Sequence, residues 1–144
     1  IVRFNGMGYN GYIQPLTGIA TESGNLPHKK IIHMVSKDFL ANRTPKNHSS
    51  KFIARDTSYV DEIVVKNTTK NALKIAEELE LESLGFPVFG TGFYRMTLEQ
   101  SISIMANTIT QHLKTKTSLN KVGIIISGVY RYNTAIKILN SKLS

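Results

Sequence analysis

The chain has 144 residues, 41% of them hydrophobic, and its 18 Lys and Arg against 10 Asp and Glu give a net charge of +8. This length suits one domain with a sizeable core. The absence of cysteine excludes a disulfide framework, a thiolate zinc site and a cysteine nucleophile, and it predicts an intracellular, cytoplasmic location. No apolar run approaches the length of a membrane span, so we expect no membrane partner.

The first third of the sequence alternates apolar segments with polar loops. Residues 1–4 predict a strand, which is followed by an asparagine and a loop rich in glycine: Asn5, Gly6, Gly8 and Gly11. Residues 29–36 predict a buried strand because they are rich in β-branched side chains. Residues 38–50 contain proline and many polar side chains, and they predict a loop.

The second part alternates helices and strands. A helix is predicted from Thr57 or Ser58 to about residue 81, with a stripe at helical spacing that includes polar members: Val60, Ile63, Val64, Asn67, Asn71, Ile75 and Leu79. Residues 84–89 predict a buried strand that runs into Gly90-Thr91-Gly92. Thr97 and Gln100 have capping-box spacing before a second helix. Residues 121–127 predict a strand and residues 132–143 a closing helix.

This order of elements indicates the fold class. Alternating strands and helices favour an α/β fold with a largely parallel sheet covered on both faces. Ligands of such folds gather at the carboxyl ends of the strands. The loops that follow Phe4, Phe89 and Ser127 are therefore predicted to meet at one edge.

The segment Gly90-Thr91-Gly92 is the most informative of these loops. Glycines without Cβ atoms allow bare N–H groups to form a concave nest that a phosphate can approach, and Thr91 adds a hydroxyl donor. In the alternative interpretation, the glycines serve only a tight turn between strand and helix. The sequence alone leaves both interpretations open.

Four segments resemble macro domains, in the order found in that family. SLGFPVFGTGFYRMTLEQSISIMANTI resembles the strand, second phosphate loop and next helix, and residues 71–79 resemble the preceding helix. Residues 24–35 resemble a conserved family strand, and residues 1–11 resemble the strand that ends in Asn and opens the first loop. The resemblance implies a three-layer α/β/α sandwich with a mixed, mostly parallel sheet that binds ADP-ribose or a related ADP-ribosyl ligand.

The resemblance also concerns domain organisation. It implies one macro-like domain over residues 1–144. In the family, an earlier strand and an acidic residue that contacts adenine normally precede the strand at residues 1–4. We therefore expect that the usual first strand and this acid belong upstream of Ile1.

Roles of individual residues follow from the resemblance. It implies that Asn5 contacts the distal ribose, and that Tyr94 or Phe93 lies beside that sugar. It also places Tyr130 or Tyr132 where a ring stacks on adenine. The residues themselves allow other interpretations: Asn5 suits an Asx-turn, and the tyrosines suit the edge of the core with their hydroxyls in water.

The sequence assigns no catalytic group. Residues 8–13 lack the carboxylate of the more active family members, which predicts weak or no hydrolysis and leaves Asn5 as the catalytic candidate. The alternative is a hydrolase of ADP-ribosyl bonds or of ADP-ribose-1''-phosphate. Neither a cofactor nor a metal site is predicted, because the histidines are scattered. Four glutamates are interpreted as a solvated helix face: Glu77, Glu78, Glu80 and Glu82.

The basic charge favours a second class of function. A net charge of +8 attracts phosphate polymers, so an RNA or poly(ADP-ribose) binding module on the same fold is the alternative. The lysines and arginines are spread along the chain, however. A solvated basic surface therefore explains them equally well.

Overall fold

The computed structural model describes residues 16–35, 58–92 and 96–143. Within them the chain forms four strands and three helices: β1 (Gly18–Glu22), β2 (Lys30–Met34), α1 (Ser58–Glu78), β3 (Ser83–Pro87), α2 (Leu98–Leu113), β4 (Lys121–Ile125) and α3 (Val129–Leu143). The predictions for residues 1–4 and 38–50 lie outside the described residues. The other predicted helices and strands are confirmed, with ends that shift by a few residues. The predicted burial of the strands is wrong: β2 and β4 are half-buried or exposed throughout, and Phe86 is the one buried residue of β3.

The described strands form one parallel and one antiparallel pair. β3 and β4 run parallel, with Ser83 opposite Lys121 and Pro87 opposite Ile125, and α2 forms the crossover between them. β1 and β2 run antiparallel, so the predicted mixture of strand directions is confirmed. The described part of the fold therefore contains both parallel and antiparallel strand pairs.

Strand β1 was not predicted from the sequence. Its first residue, Gly18, lies opposite Met34, where an added Cβ would collide with the Met34 sulfur and lie 2.9 Å from the His33 carbonyl oxygen. The two strands approach closely at this point because Gly18 has no side chain. A glycine at the start of a five-residue strand gives no strand signal by itself.

The helices form a packed group. α1 packs against α2 and against the β1–β2 pair, and α2 also packs against α3. The core contains residues from α1, β3, α2 and the segments before α2 and β4: Val65, Ala72, Leu73, Ala76, Phe86, Met96, Met105, Ile109 and Leu119. This core fixes the positions of β3 and β4, whose ends carry the candidate site.

The helix α1 is confirmed, but the predicted stripe does not coincide with its buried face: Val64, Asn67, Asn71 and Ile75 are only half-buried. Its buried face is formed by Val65, Thr68, Thr69, Ala72, Leu73 and Ala76, whereas Ile63 and Leu79 are exposed. Small side chains on this face allow close approach of α2, and Thr69 lowers its cost of burial by donating to the Val65 carbonyl at 2.8 Å. The positions of the large apolar side chains alone therefore do not identify the buried face of α1.

No helix in the described part of the chain has the length and apolarity needed to cross a membrane.

Candidate ligand-binding site

Two glycine-containing loops meet at the carboxyl edge of the β3–β4 pair. Loop A, residues 88–92, follows β3, and loop B, residues 126–128, follows β4. Because β3 and β4 are parallel neighbours, both loops leave the sheet at the same edge. This convergence was predicted. The third predicted loop, after Phe4, lies outside the described residues.

The carbonyl groups of loop A are held from the inside of the molecule. The Phe89 carbonyl accepts a hydrogen bond from the Ser101 hydroxyl of α2. The Gly90 carbonyl accepts from the Met96 N–H at 3.0 Å. The Phe89 N–H donates to the Met105 sulfur at 3.4 Å. These contacts fix the direction of the loop backbone without any ligand.

Three backbone N–H groups of loop A differ from these carbonyls, because they have no hydrogen-bond partner in the described part of the chain. No acceptor among the described residues bonds to the N–H groups of Gly90, Thr91 or Gly92. Three successive donors without a described acceptor, on one short loop that contains a glycine at positive φ, suit a nest of the kind that binds anions. Loop A can therefore offer several hydrogen bonds to one phosphate.

The two glycines of loop A have different physical roles. Gly90 has a φ of +80°, and an added Cβ would lie 2.8 Å from both the Met96 sulfur and Val65 Cγ2. An added Cβ at Gly92 would meet no atom within 4 Å. The tight-turn interpretation thus accounts for Gly90 but leaves Gly92 unexplained. Gly92 faces open space, as the nest interpretation requires.

The N-terminus of α2 is capped by its own side chains, as predicted. The Thr97 hydroxyl accepts from the Gln100 N–H at 3.1 Å, and Gln100 Oε1 accepts from the Thr97 N–H at 3.0 Å. This reciprocal pair satisfies two donors that a ligand would otherwise compete for. The N–H groups of Thr97 and Gln100 are therefore already bonded within the cap, whereas those of Gly90, Thr91 and Gly92 have no described acceptor.

Loop B leads directly into α3. Gly128 has a φ of +88°, and the helix begins at Val129, three residues before the predicted start. Tyr130 and Tyr132 therefore lie in its first turn, with 85% and 54% of their surfaces exposed. Their rings are accessible from solvent at the same edge as loop A. Stacking on adenine stays a prediction for both.

Arg131 connects the two loops and was missed by the sequence analysis. Its Nη2 donates to Thr91 Oγ1 at 3.3 Å, across 40 residues of sequence. No carboxylate of the described residues forms a salt bridge with its guanidinium group. A cation therefore lies beside the unpaired donors of loop A. Only its place in the Tyr-Arg-Tyr triplet after a strand could have signalled it.

The opposite edge of the sheet carries a second polar cluster. Glu77, near the end of α1, accepts from His112 Nε2 at 2.8 Å and from the Thr117 hydroxyl. Its other oxygen accepts from the Ser118 N–H at 3.1 Å and the Ser118 hydroxyl at 3.0 Å. The Thr117 hydroxyl first, then the Ser118 N–H and His112, lower the pKa of Glu77 from 4.5 to about 2.

This cluster corrects one interpretation of the sequence. Glu77 does not belong to a solvated helix face, because it holds the segment before β4 against the end of α1. Glu78, Glu80 and Glu82 are exposed, as predicted, but Glu80 and Glu82 follow the end of α1 and do not belong to a helix face. The His112 ring is hydrogen-bonded to Glu77. In the ranges 16–35, 58–92 and 96–143, no group of His, Asp and Glu is arranged to hold a metal ion.

Several predicted site residues cannot be placed relative to loop A. Six of them lie outside the described residues: Asn5, Gly6, Gly8, Gly11, Phe93 and Tyr94. The structure brings together the other five, which are Gly90, Thr91, Gly92, Tyr130 and Tyr132, at one edge of the sheet.

Comparison with known proteins decides the family. The model of the Macro domain family matches residues 7–105 of this chain. The chain belongs to the macro domain family. The matched region contains loop A and, from the predicted first loop, Gly8 and Gly11, so the resemblance inferred from the sequence motifs is confirmed.

Solved macrodomains have the same fold. The Oceanobacillus iheyensis macrodomain with ADP is 24% identical, with a TM-score of 0.69, over 90% of this chain and 60% of its own. A mutant of that protein with ADPR is 24% identical, with a TM-score of 0.69, over 91% and 62%. The Trypanosoma brucei macrodomain in complex with ADP is 17% identical, with a TM-score of 0.66, over 90% and 47%.

These likenesses confirm the predicted α/β macro-domain fold, a three-layer sandwich with a mixed sheet. This chain spans about 60% of the length of the Oceanobacillus iheyensis protein. An uncharacterised protein of Pyrococcus furiosus is 31% identical over 68 residues, which cover 47% of this chain and 37% of that protein. A Pyrococcus abyssi protein matches over 68 residues at 29% identity, which again cover 47% of this chain and 37% of that protein.

Proposed function

We propose that this macro domain binds ADP-ribose or a related ADP-ribosyl ligand at the carboxyl edge of β3 and β4, with weak or no hydrolase activity. The observation that carries this proposal is the orientation of loop A. Its carbonyls bond to α2 and Met96, while the N–H groups of Gly90, Thr91 and Gly92 have no described acceptor. A diphosphate supplies the acceptor oxygens that such donors lack.

The related structures support this choice of ligand. Macrodomains with the same fold were solved with ADP and with ADPR. Both molecules contain an adenosine diphosphate, which matches a nest for phosphate next to exposed aromatic rings. On this proposal, the Gly90–Gly92 segment binds the diphosphate and Tyr130 or Tyr132 stacks on the adenine.

The remaining contacts of the ligand are assigned by the family resemblance. On this proposal, Asn5 binds the distal ribose, and Tyr94 or Phe93 lies against the same sugar. Gly6, Gly8 and Gly11 allow the first loop to approach the ribose and phosphate closely. An ADP-ribosylated macromolecule would present the same group, so it belongs to the same class of ligand.

Slow or absent hydrolysis is proposed because neither loop carries an acid–base group. Residues 88–92 and 126–131 contain no His, Asp or Glu, and residues 8–13 contain no carboxylate. Positioned acid–base help commonly contributes about 10²–10⁴-fold to a rate. Binding does not need such a group, since it relies on backbone donors and stacking. Hydrolysis of ADP-ribosyl bonds or of ADP-ribose-1''-phosphate is the alternative.

Calorimetric titration with ADP-ribose tests the proposal. We expect saturable binding at one site per chain, and no release of ADP-ribose from mono-ADP-ribosylated protein at catalytic concentrations of this chain. Absence of binding by the folded protein would refute the function. Rapid turnover would establish the hydrolase alternative instead.

A parallel titration with oligo-RNA tests the alternative based on charge. The net charge of +8 favours polymer binding through the general basic surface. If ADP-ribose is the proper ligand, RNA should bind weakly, lose affinity steeply with salt and leave the ADP-ribose titration unchanged. Strong binding of RNA with no binding of ADP-ribose would replace the proposal.

The intracellular, cytoplasmic location stays a prediction.

A further inference from the structure

Arg131 offers more to a ligand than its bond to Thr91. We propose that Arg131 determines the specificity of this site by selecting ligands with a diphosphate over ligands with a single phosphate. This inference rests on the proposed function, because it concerns the same edge of the sheet. It goes beyond that function by naming a side chain that discriminates between nucleotides.

The position of Arg131 carries the first step. It lies in the first turn of α3, and its guanidinium reaches the hydroxyl of Thr91 at 3.3 Å in the middle of loop A. Thr91 has Gly90 and Gly92 on either side, whose N–H groups have no described acceptor. The cation therefore lies beside the nest, on the side of α3, and Gly92 leaves the space next to it open.

The hydrogen-bonding capacity of Arg131 carries the second step. A guanidinium group has five N–H donors, and the described structure uses one of them on Thr91. Within the described ranges, no carboxylate forms a salt bridge with it. The unused donors form a planar fork that matches two oxygens of a phosphate. Among the described residues, Arg131 is thus a cation without a carboxylate partner, with donors left for a phosphate.

Thr91 gains a defined direction from this contact. Its oxygen accepts from Arg131, so its own proton must point away from the guanidinium group. A hydroxyl that already accepts one hydrogen bond is also a better donor. The side chains of Arg131 and Thr91 therefore both offer donors in addition to the backbone donors of loop A.

Selectivity for a diphosphate follows because the backbone donors of loop A bind one phosphate and the side chains of Arg131 and Thr91 bind the other. The three N–H groups of loop A are enough for the oxygens of one phosphate. A second phosphate adds oxygens that lie beyond this short run of backbone, and Arg131 with Thr91 is placed at its side. A monophosphate can use the nest alone, whereas a diphosphate can use both sets.

Two variants with the same loss of charge test this inference. Arg131→Met removes the guanidinium and keeps an unbranched side chain. Lys137→Met removes one positive charge from an exposed position of the same helix and is the control. Thermal unfolding confirms that each variant is folded. Affinities for ADP-ribose, ADP and AMP are then measured by calorimetry and by displacement of labelled ADP-ribose.

We expect Arg131→Met to weaken ADP-ribose and ADP about tenfold, since a hydrogen bond to a charged group is lost to each. AMP should weaken less than about twofold, and Lys137→Met should change none of the three by more than that. The preference of the wild type for ADP over AMP should therefore shrink. The same variant should also lower the salt dependence of ADP binding.

The outcomes separate this inference from the proposed function. If the wild type binds ADP-ribose and Arg131→Met weakens ADP and AMP equally, or neither, the specificity role is refuted and the function stands. Failure of the wild type to bind ADP-ribose refutes the function itself. A loss with Lys137→Met equal to that with Arg131→Met would show a general charge effect and would also overturn the inference.

Discussion

At the amino ends of β3 and β4, the Glu77 carboxylate accepts hydrogen bonds from His112, Thr117 and Ser118. At the carboxyl ends, the N–H groups of loop A have no described acceptor, and Arg131 has no described carboxylate partner. Hydrogen-bond donors therefore converge at both edges. At the amino edge they bind the Glu77 carboxylate, and at the carboxyl edge they are available to an anionic ligand.

The Glu77 edge shows what converging donors do to an anion in this protein. They stabilise its charged form enough to lower its pKa to about 2. A phosphate at the opposite edge would meet donors of the same kind. The comparison therefore suggests that the first edge serves stability and the second serves binding, and variants at each edge test this separation.

Gly92→Val should have the largest effect on binding. The branched side chain would occupy the open space beside the unpaired N–H groups, so we expect no detectable binding of ADP-ribose by calorimetry. The fold should persist, because an added Cβ at Gly92 meets no atom within 4 Å.

Gly123→Val is the matched control for that variant. Gly123 lies in β4, and an added Cβ there also meets nothing within 4 Å. It should therefore keep both the fold and the affinity for ADP-ribose. Unchanged binding by a folded Gly92→Val protein would remove loop A from the site.

Gly90→Ala should reduce stability more than any other change to loop A. A non-glycine residue at a φ of +80° is strained, and the added methyl would lie 2.8 Å from Val65 Cγ2 and the Met96 sulfur. We expect a loss of about 2 kcal/mol in the free energy of unfolding, measured with denaturant. A variant as stable as the wild type would contradict the structural role of Gly90.

Glu77→Gln should lower stability at neutral pH and have little effect in acid. The folded pKa of about 2 lies below the ordinary 4.5, so the stabilisation is complete above about pH 4.5 and disappears as the pH falls towards 2. Melting temperatures of wild type and variant should therefore converge from pH 7 to pH 3. Binding of ADP-ribose at pH 7 should stay unchanged.

Glu78→Gln serves as the control for this measurement. Glu78 is adjacent and exposed, and its carboxylate is 3.7 Å from the Lys74 ammonium on the helix surface. Exposed pairs of this kind contribute little, so its melting temperature should follow the wild type at every pH. A constant difference between Glu77→Gln and wild type across the pH range would show that the carboxylate charge is not responsible.

Thr68→Val should have the smallest effect and the opposite sign. Thr68 lies in the buried face of α1 with 1% of its surface exposed, and no described residue bonds to its hydroxyl. Valine has the same shape without the unpaired group, so we expect a gain of about 1 kcal/mol in the free energy of unfolding. The neighbouring Thr69→Val removes a bond to Val65 and should give no such gain.

Local signals were sufficient for much of the fold and for part of the site. The capping box of α2 joins residues three apart, and the strand before Gly90 is a continuous apolar run, so both could be predicted from the sequence. The face of α1 could not, because it depends on which neighbour packs closely enough to require alanine and threonine. The need for glycine at position 18 likewise follows only from Met34 on the paired strand, because an added Cβ would collide with it.

The two charged residues that distinguish the edges were not predictable for a related reason. Glu77 contacts residues 35 to 41 positions away, and Arg131 contacts Thr91 across 40 positions. Contacts at such separations arise from the parallel pairing of β3 with β4. This pairing places the segments that precede the two strands side by side, and likewise the segments that follow them. No periodic pattern along the chain records them.

The bond between Ser101 and the Phe89 carbonyl, together with that between Met96 and Gly90, has a consequence for the thermodynamics of binding. A loop ordered during folding loses its conformational entropy then, and little is left to lose when a ligand arrives. Association should therefore be rapid and should involve little change in backbone order. On the proposed function, affinity then depends on the Ser101 hydroxyl on the buried face of α2, although this group does not contact the ligand.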